Sequence, residues 1–315
     1  MFQKTIKQNV SITGVGAHSG IETKISLIPA PENHGIVFKR TDLTSKNIIP
    51  ALWSYVTDTR LCTTISNISN VSVSTIEHLM AALSAMEIDN LLIEINGAEV
   101  PILDGSAHPY LSILENIGTT TQNEKKSYLK ILKPISVKQG ESWAQIKPAQ
   151  DGFSLHYTFR NRSTNAFERY TSQDALKDFK NHLAPARTFG FLEDVEKLYA
   201  AGLAKGSSLE NAVVFDEGKV LNPEGLRFDN ECARHKALDV IGDLFLAGIP
   251  IIGHFEGYCS GHSLNNMLLE ALLKDRSAWS IITKDPPASH PHHPGPYQRH
   301  QNISLNEKPL RFGTF

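Results

Sequence analysis

"RHKALDVIGDLFLAGIPIIGHF", residues 234–255, decides how the chain is read. Its first part carries apolar residues at helical spacing, and its end, beyond Gly248 and Pro250, is a short apolar run: a helix that turns into a buried strand. "EHLMAALSAMEIDNLLIEI", residues 77–95, has the same form, with a histidine early on a helix that leads into an apolar strand. Segments of β-type alternation precede each. "TIKQNVSITG" (5–14), "TKISLIPA" (23–30) and "GIVFKR" (35–40) stand before the first; "LKILKPISVKQG" (129–140), "WAQIKPA" (143–149) and "FSLHYTFR" (153–160) stand before the second. This echo predicts an α+β fold of two similar units from an internal duplication, each a layered α/β sandwich of sheet and helices.

The polar stretch "GTTTQNEKKS" (118–127) reads as a linker, dividing a first domain, 1–122, from a second, 123–285. Ser74 and Thr75 are candidate N-caps for the helix that carries "EHLMAAL", and "AHPYLSILENI" (107–117) is a second helix. In the second half, helices are expected around 173–203, a strand at "NAVVFD" (211–216) and a last helix at "LNNMLLEALLKD" (264–275). Residues 286–315 form a Pro/His-rich tail, where "HPHHP" (290–294) has prolines that prevent a fixed metal cage.

Composition narrows the function classes. The chain has 315 residues, 41% of them hydrophobic, with 31 basic against 33 acidic side chains, which speaks against a nucleic-acid coat. "MFQKTIKQNVSITG" (1–14) has no apolar h-region and no small-residue cleavage site, so no signal peptide is expected, and the longest apolar run, "LFLAGIPIIGHF" (244–255), is too short and too broken for a transmembrane segment. Three cysteines, an odd number with no CxxC, fit free thiols in a reducing compartment, so a cytoplasmic enzyme is expected. No pattern reads as a coiled coil or an obligate interface, and a monomer is expected.

His235, Asp239 and Asp243 recur at steps of four and share one helical stripe in an apolar setting. Burying such groups is costly without a partner, and a metal ion held by His235 and Asp239 would supply one. His78 of "IEHLMAAL" sits at the equivalent place in the other half and is the best third ligand; Glu77 beside it suits a proton acceptor. The competing reading is a surface histidine salt-bridged to Asp239. His262 in "YCSGHSLNN" either caps a helix or, paired with Asp243, stays protonated as a general acid. "ARTFGF" (186–191) offers Arg187, a Thr188 hydroxyl for a developing oxyanion and a Phe189 ring for a sugar or base, or is an ordinary turn. "GVGAHSG" (14–20) is one residue off a dinucleotide fingerprint and lies between two strands, which dismisses it.

Taken together, "TGVGAHSG", "RTDL", "STIEHLMAAL", "IDNLLIEING", "PILDGSA", "ARTFGF", "GLRFDNECARHKALDVIGDLFLAG" and "SGHSLNN" resemble the UDP-3-O-acyl-N-acetylglucosamine deacetylases, zinc amidases of lipid A synthesis, from about residue 3 to about 280. The resemblance implies two similar domains with the active site between them. It implies zinc on His78, His235 and Asp239, Glu77 as general base, His262 as second acid/base group tuned by Asp243, and Thr188 at the oxyanion. It also implies substrate contacts from Phe189 and Lys236, and an acyl-chain passage within "LEDVEKLYAAGLAKGSSLENAVV" (192–214). Iron(II) suits a His₂Asp set as well as zinc. Two positions depart from the family pattern: Cys259 stands where a basic residue is common, with Lys147 as a substitute phosphate contact, and Ser207 where glycine is common. Two alternatives compete: a zinc amidase of another N-acyl sugar, and a non-catalytic metal or sugar-nucleotide binder. Glu77 beside a ligand disfavours the latter, because a structural site needs no base.

Overall fold

The strands of the two main arrays form where apolar residues alternate, and the pairing of those strands repeats in the two halves of the chain. The computed structural model describes residues 1–284; the Pro/His-rich tail, with "HPHHP", lies outside the described residues. In the first half, β1 (Val10–Val15), β2 (Glu22–Pro29), β3 (Ile36–Arg40), β4 (Ile48–Pro50) and β5 (Leu91–Ile95) form one sheet in the order β1-β2-β5-β3-β4. On β2, Thr23, Ile25 and Leu27 are buried between exposed or half-buried neighbours, the period-2 pattern of a sheet with one face on the core. Helix α1 (Glu77–Ala85) leads into β5 and α2 (His108–Ile117) follows it.

The second half uses β6 (Ile135–Gln139), β7 (Ser142–Lys147), β8 (Phe153–Arg160), β9 (Phe167–Ser172) and β10 (Ile251–Tyr258), with α3 (Glu231–Phe245) before β10 and α4 (His262–Lys274) after it. Neighbours run β6-β7-β10-β8-β9. In each array the middle strand pairs antiparallel on one side (β5 with β2, β10 with β7) and parallel on the other (β5 with β3, β10 with β8). The outer pairs are antiparallel in both. The second sheet also takes Ser127–Ile131, parallel to β10, and Trp279–Thr283 beside it. The fold is therefore mixed, with helices and several sheets, as the α+β expectation had it.

Three local expectations are corrected. The polar stretch at 118–127 is not an open linker: Thr119–Lys125 is a strand paired antiparallel with Phe2–Ile6. It is stitched at its end by the buried Lys126, whose Nζ donates to Glu87 O at 2.9 Å and to Asp89 Oδ2 at 3.2 Å. Such a pairing is set by a segment more than a hundred residues away, which polarity alone does not reveal. Ser74 and Thr75 do not cap α1; Ile76 holds the cap position without a side-chain bond, and the Thr75 hydroxyl donates instead to Glu99 Oε1 at 3.0 Å. The span 173–203 contains only short turns of helix, Ala175–Asp178 and Val195–Ala200 among them, interrupted by the strand Phe189–Phe191.

One apolar core runs through both halves, from Ile25, Leu27 and Phe38 to Leu155, Phe255 and Leu268. Its centre is the contact of α1 with α3. Every residue of α1 from Glu77 to Ser84 is buried, so this helix is surrounded rather than amphipathic. Gly242 sets the spacing: a Cβ there would lie 2.1 Å from Glu77 O, so only glycine lets the two backbones approach this closely. Among the described residues, no helix is long and apolar enough to cross a membrane.

Candidate metal and acid-base centre

The close approach at Gly242 brings the first turn of α1 against the middle of α3. Three donors meet there: the nitrogens of His78 and His235 and an oxygen of Asp239 lie within 4.8 Å of one another, all buried. His235 Nδ1 donates to Ala186 O at 3.0 Å, which leaves the lone pair on Nε2 facing Asp239 Oδ1 at 3.4 Å. His78 Nε2 faces the same oxygen at 3.7 Å, and the two rings meet edge to face with centroids 4.9 Å apart. Asp239 Oδ2 accepts from Lys236 Nζ at 2.8 Å, but Oδ1 has no hydrogen-bond partner although it is fully buried.

An orphaned carboxylate oxygen beside two imidazole nitrogens is a costly arrangement unless a cation completes it. The ionisation states agree. Burial, reinforced by the neighbouring His235, pulls His78 down to about 3, and burial likewise lowers His235, so both rings are neutral donors. Burial would raise Asp239, but the facing imidazole of His235, the Lys236 ammonium and the rings of His262 and His78 outweigh it and hold the carboxyl below its ordinary range. Neutral imidazoles with an ionised carboxylate are what a divalent ion requires. His₂Asp is a three-ligand set, the number that catalytic zinc sites use.

Two buried titratable groups, Glu77 and His262, flank this set. Glu77 Oε2 accepts the backbone N–H of Thr63 at 3.0 Å, so Oε1 is the oxygen turned to His262 Nε2, 3.9 Å away. Burial, with the Asp239 and Asp243 charges adding to it against His262, raises Glu77 to about 7, the range of a useful base. His262 Nδ1 bonds Asp243 Oδ2 at 2.9 Å, which aims Nε2 at the cluster, 3.9 Å from Asp239 Oδ2. Burial opposes the charge on His262, yet Asp243 and Glu77 prevail and raise it to about 9. Asp243 is itself held from three directions, by His262, by Asn265 Nδ2 at 2.9 Å and by the Thr63 hydroxyl at 2.6 Å.

Thr188, Phe189 and Lys236 line the same pocket as the cluster. Thr188 is fixed through its backbone: its N–H donates to Gly105 O at 2.7 Å and its carbonyl accepts from Val213. Gly105 has φ +83°, and a Cβ on it would strike Asn211 O at 2.0 Å, so the "LDGSA" loop of the first half must carry glycine there. Behind the pocket the buried Arg187 latches the segment, with Nε on Glu231 Oε1 at 2.9 Å and a second nitrogen on Gly225 O at 2.7 Å. Lys236 Nζ lies over the Phe189 ring at 5.6 Å. Apolar side chains also line the pocket, Leu61, Ile102, Val195, Leu198, Ala212 and Val214 among them.

Other expected residues lie elsewhere. Lys147 pairs with Glu256 at 2.7 Å on the sheet and is not among the pocket residues. Cys259 Sγ accepts from Arg160 N–H at 3.2 Å and also lies outside the pocket. Ser207 does line it, with its hydroxyl on Ala17 O at 3.2 Å. "GVGAHSG" contributes Ala17 and His18 to the pocket lining, and Glu99 accepts the N–H groups of His18 and Ser19 at 2.8 Å. Sequence reading also passed over Thr63 and Asn265, which have no spacing relation to their partners. The glycine pair around His18 was the one signal that pointed to a constrained loop.

A family model for UDP-3-O-acyl N-acetylglycosamine deacetylase matches residues 3–274. A protein of Glaesserella parasuis serovar 5 named UDP-3-O-acyl-N-acetylglucosamine deacetylase is 44% identical over 292 residues, covering 92% of this chain and 95% of its own. One of the same name from Shewanella frigidimarina is 44% identical over 294 residues, 92% and 96%. Another, from Mannheimia succiniciproducens, is 45% identical over 284 residues, 89% and 93%.

Proposed function

We infer that the buried cluster is the reaction centre of this chain, which belongs to the UDP-3-O-acyl N-acetylglycosamine deacetylase family. The reaction is hydrolysis of the N-acetyl amide of UDP-3-O-(3-hydroxyacyl)-N-acetylglucosamine, a step of lipid A biosynthesis that releases acetate and leaves a free amine on the sugar. The observation that carries the assignment of the centre is the buried, unpartnered Asp239 Oδ1 facing the nitrogens of His78 and His235.

His78, His235 and Asp239 would hold zinc, with iron(II) the alternative for the same donors. Zinc bound there would supply Lewis acidity for the amide carbonyl and for the attacking water, whose pKa such an ion brings toward ~7. Glu77, with one oxygen occupied by Thr63 and the other free, takes the proton from that water. His262, protonated and steadied by Asp243, gives a proton to the nitrogen of the departing amine, so the leaving group departs neutral. The 3.9 Å between Glu77 Oε1 and His262 Nε2 suits acceptor and donor working around one amide. The Thr188 hydroxyl donates to the carbonyl oxygen as charge develops on it. Lys236 and Phe189, the ammonium over the ring, are assigned to the diphosphate and the sugar, and the apolar lining residues to the 3-O-acyl chain.

The identical pairing order in the two sheets supports the reading of two duplicated domains, 1–122 and 123–285, as layered sandwiches with the site at their junction. The three free cysteines support a cytoplasmic setting, and the chain is taken to work as a monomer.

The test is amine release from UDP-3-O-(3-hydroxyacyl)-N-acetylglucosamine by wild type, Glu77→Ala and a chelated sample. Release by wild type alone supports a metal-dependent deacetylase with Glu77 as base. Equal release by all three would sink both assignments.

A further inference from the structure

Thr63 spends its backbone N–H and its hydroxyl on the acid-base machinery. It is 2% exposed and sits just before the short strand Thr64–Ser66. Its N–H donates to Glu77 Oε2 at 3.0 Å, and its hydroxyl donates to Asp243 Oδ1 at 2.6 Å. Its carbonyl accepts from the N–H of Ile76, the residue before Glu77, at 3.5 Å. The two carboxylates lie on different halves of the chain, Glu77 at the start of α1 and Asp243 near the end of α3. Thr63 is bonded to both.

The consequence for geometry follows atom by atom. A carboxylate with one oxygen bound to a fixed N–H cannot rotate freely, so the Thr63 N–H selects Oε1 of Glu77 as the oxygen that faces the substrate. Asp243 has two oxygens: Oδ2 serves His262 and Asn265, and Oδ1 has Thr63 alone as a hydrogen-bonded side-chain partner among the described residues. A short hydrogen bond from a hydroxyl to a buried carboxylate is charge-assisted and strong. It fixes the plane of Asp243, and with it the direction in which His262 Nε2 points.

We propose that Thr63 is a positioning residue for this reaction, orienting the general base through its N–H and the general acid through its hydroxyl and Asp243. This rests on the reading above that Glu77 and His262 carry the protons. A rise of about 1.4 kcal/mol in barrier height is a tenfold loss in rate, and hydrogen bonds to charged groups fall at or above that size.

The experiment measures kcat, KM, bound metal and melting temperature for Thr63→Val, which keeps shape and N–H but lacks the hydroxyl, and for Thr63→Ser, which keeps the hydroxyl. Thr63→Val should lower kcat by about 10- to 100-fold with KM within about twofold and bound metal unchanged, and Thr63→Ser should recover most of the loss. In a His262→Ala background, Thr63→Val should lower kcat by far less than in wild type, because the hydroxyl acts through that histidine. A full, additive loss in that background overturns the proposal and assigns Thr63 to the fold alone. So does a Thr63→Val enzyme with the wild-type kcat. Should the valine variant fail to fold, Thr63→Ala lacks the same hydroxyl and is read in its place against Thr63→Ser. Glu77→Gln is the control: if it turns over normally, the acid-base reading itself has failed; if it is dead while Thr63→Val is normal, only the role of Thr63 has.

Discussion

Helices α1 and α3 hold equivalent places, each leading into the middle strand of its sheet, yet they deliver their side chains in opposite ways. On α3 the groups stand at steps of four, His235, Asp239 and Asp243, so the helix itself aligns them along one face. On α1 they are adjacent, Glu77 and His78 in the first turn, and neighbours on a helix point about 100° apart. Their aim must come from outside the helix. It comes from Thr63 on Glu77 and from the approach to α1, where Thr75 takes φ 57°, a strained value for a β-branched residue, and is tied to Glu99. A regular helix makes one half of the centre; loops that converge from distant sequence make the other.

This contrast can be broken at three places. The largest effect is expected at Asp239→Ala, which removes the oxygen that His78 and His235 share. Bound metal should fall well below one ion per chain and amine release should vanish. Chelation should lower the melting temperature of wild type but leave that of the variant unchanged. Metal retained at full occupancy would show that α3 contributes less than its stripe suggests.

Next is the pH profile. Activity should rise through the Glu77 pKa, raised to about 7 by burial, because the base must lose its proton. It should fall through that of His262, raised to about 9 by Asp243 and Glu77 despite burial, because the acid must keep its own. The sign therefore puts the acid limb on α1 and the alkaline limb on α4. His262→Ala should lower kcat by about 10²-fold and abolish the alkaline limb while the acid limb stays. An unchanged bell in that variant removes His262 from the proton path.

The smallest is Gly242→Ala, at the contact itself. The added methyl meets Glu77 O at 2.1 Å, so the helices must separate. A loss of about 1–3 kcal/mol in stability is expected from overpacking, read as a lower melting temperature, with metal affinity weakened because the ligands span the contact. A variant with wild-type affinity would mean that the loops, rather than the helix crossing, set the distance between the halves.

How much of this was legible follows the same division. The stripe on α3, the echo of helix and strand in the two halves, and the pairing of Glu77 with His78 are local patterns, and short-range periodicity exposes them. The strand at Thr119–Lys125 was not legible, because its partner is the N-terminal strand and its own residues are polar. Thr75 was misread as a cap because its hydroxyl is used by Glu99, far along the chain. The helices expected around 173–203 broke into short turns because this segment is shaped by contacts such as Arg187 with Glu231 rather than by its own propensity. Thr63 carries no sequence signal at all; its role is visible only where α1, α3 and the loop meet.

The pocket rim holds a final consequence. The turn at 204–207 lies on the loop at 16–20 main chain to main chain, where a Cβ on Gly206 would stand 2.2 Å from Gly16 O and a Cβ on Gly16 would stand 2.3 Å from Glu99 Oε2. The spacing of these segments is held by main-chain bonds, from Lys205 N–H to His18 O at 3.2 Å and from Gly206 N–H to Ala17 O at 3.1 Å, with the Ser207 hydroxyl adding a third on Ala17 O. Substitutions among the apolar lining residues can retune what fits inside, while the calliper beside them is fastened mainly by the backbone and leaves little to adjust.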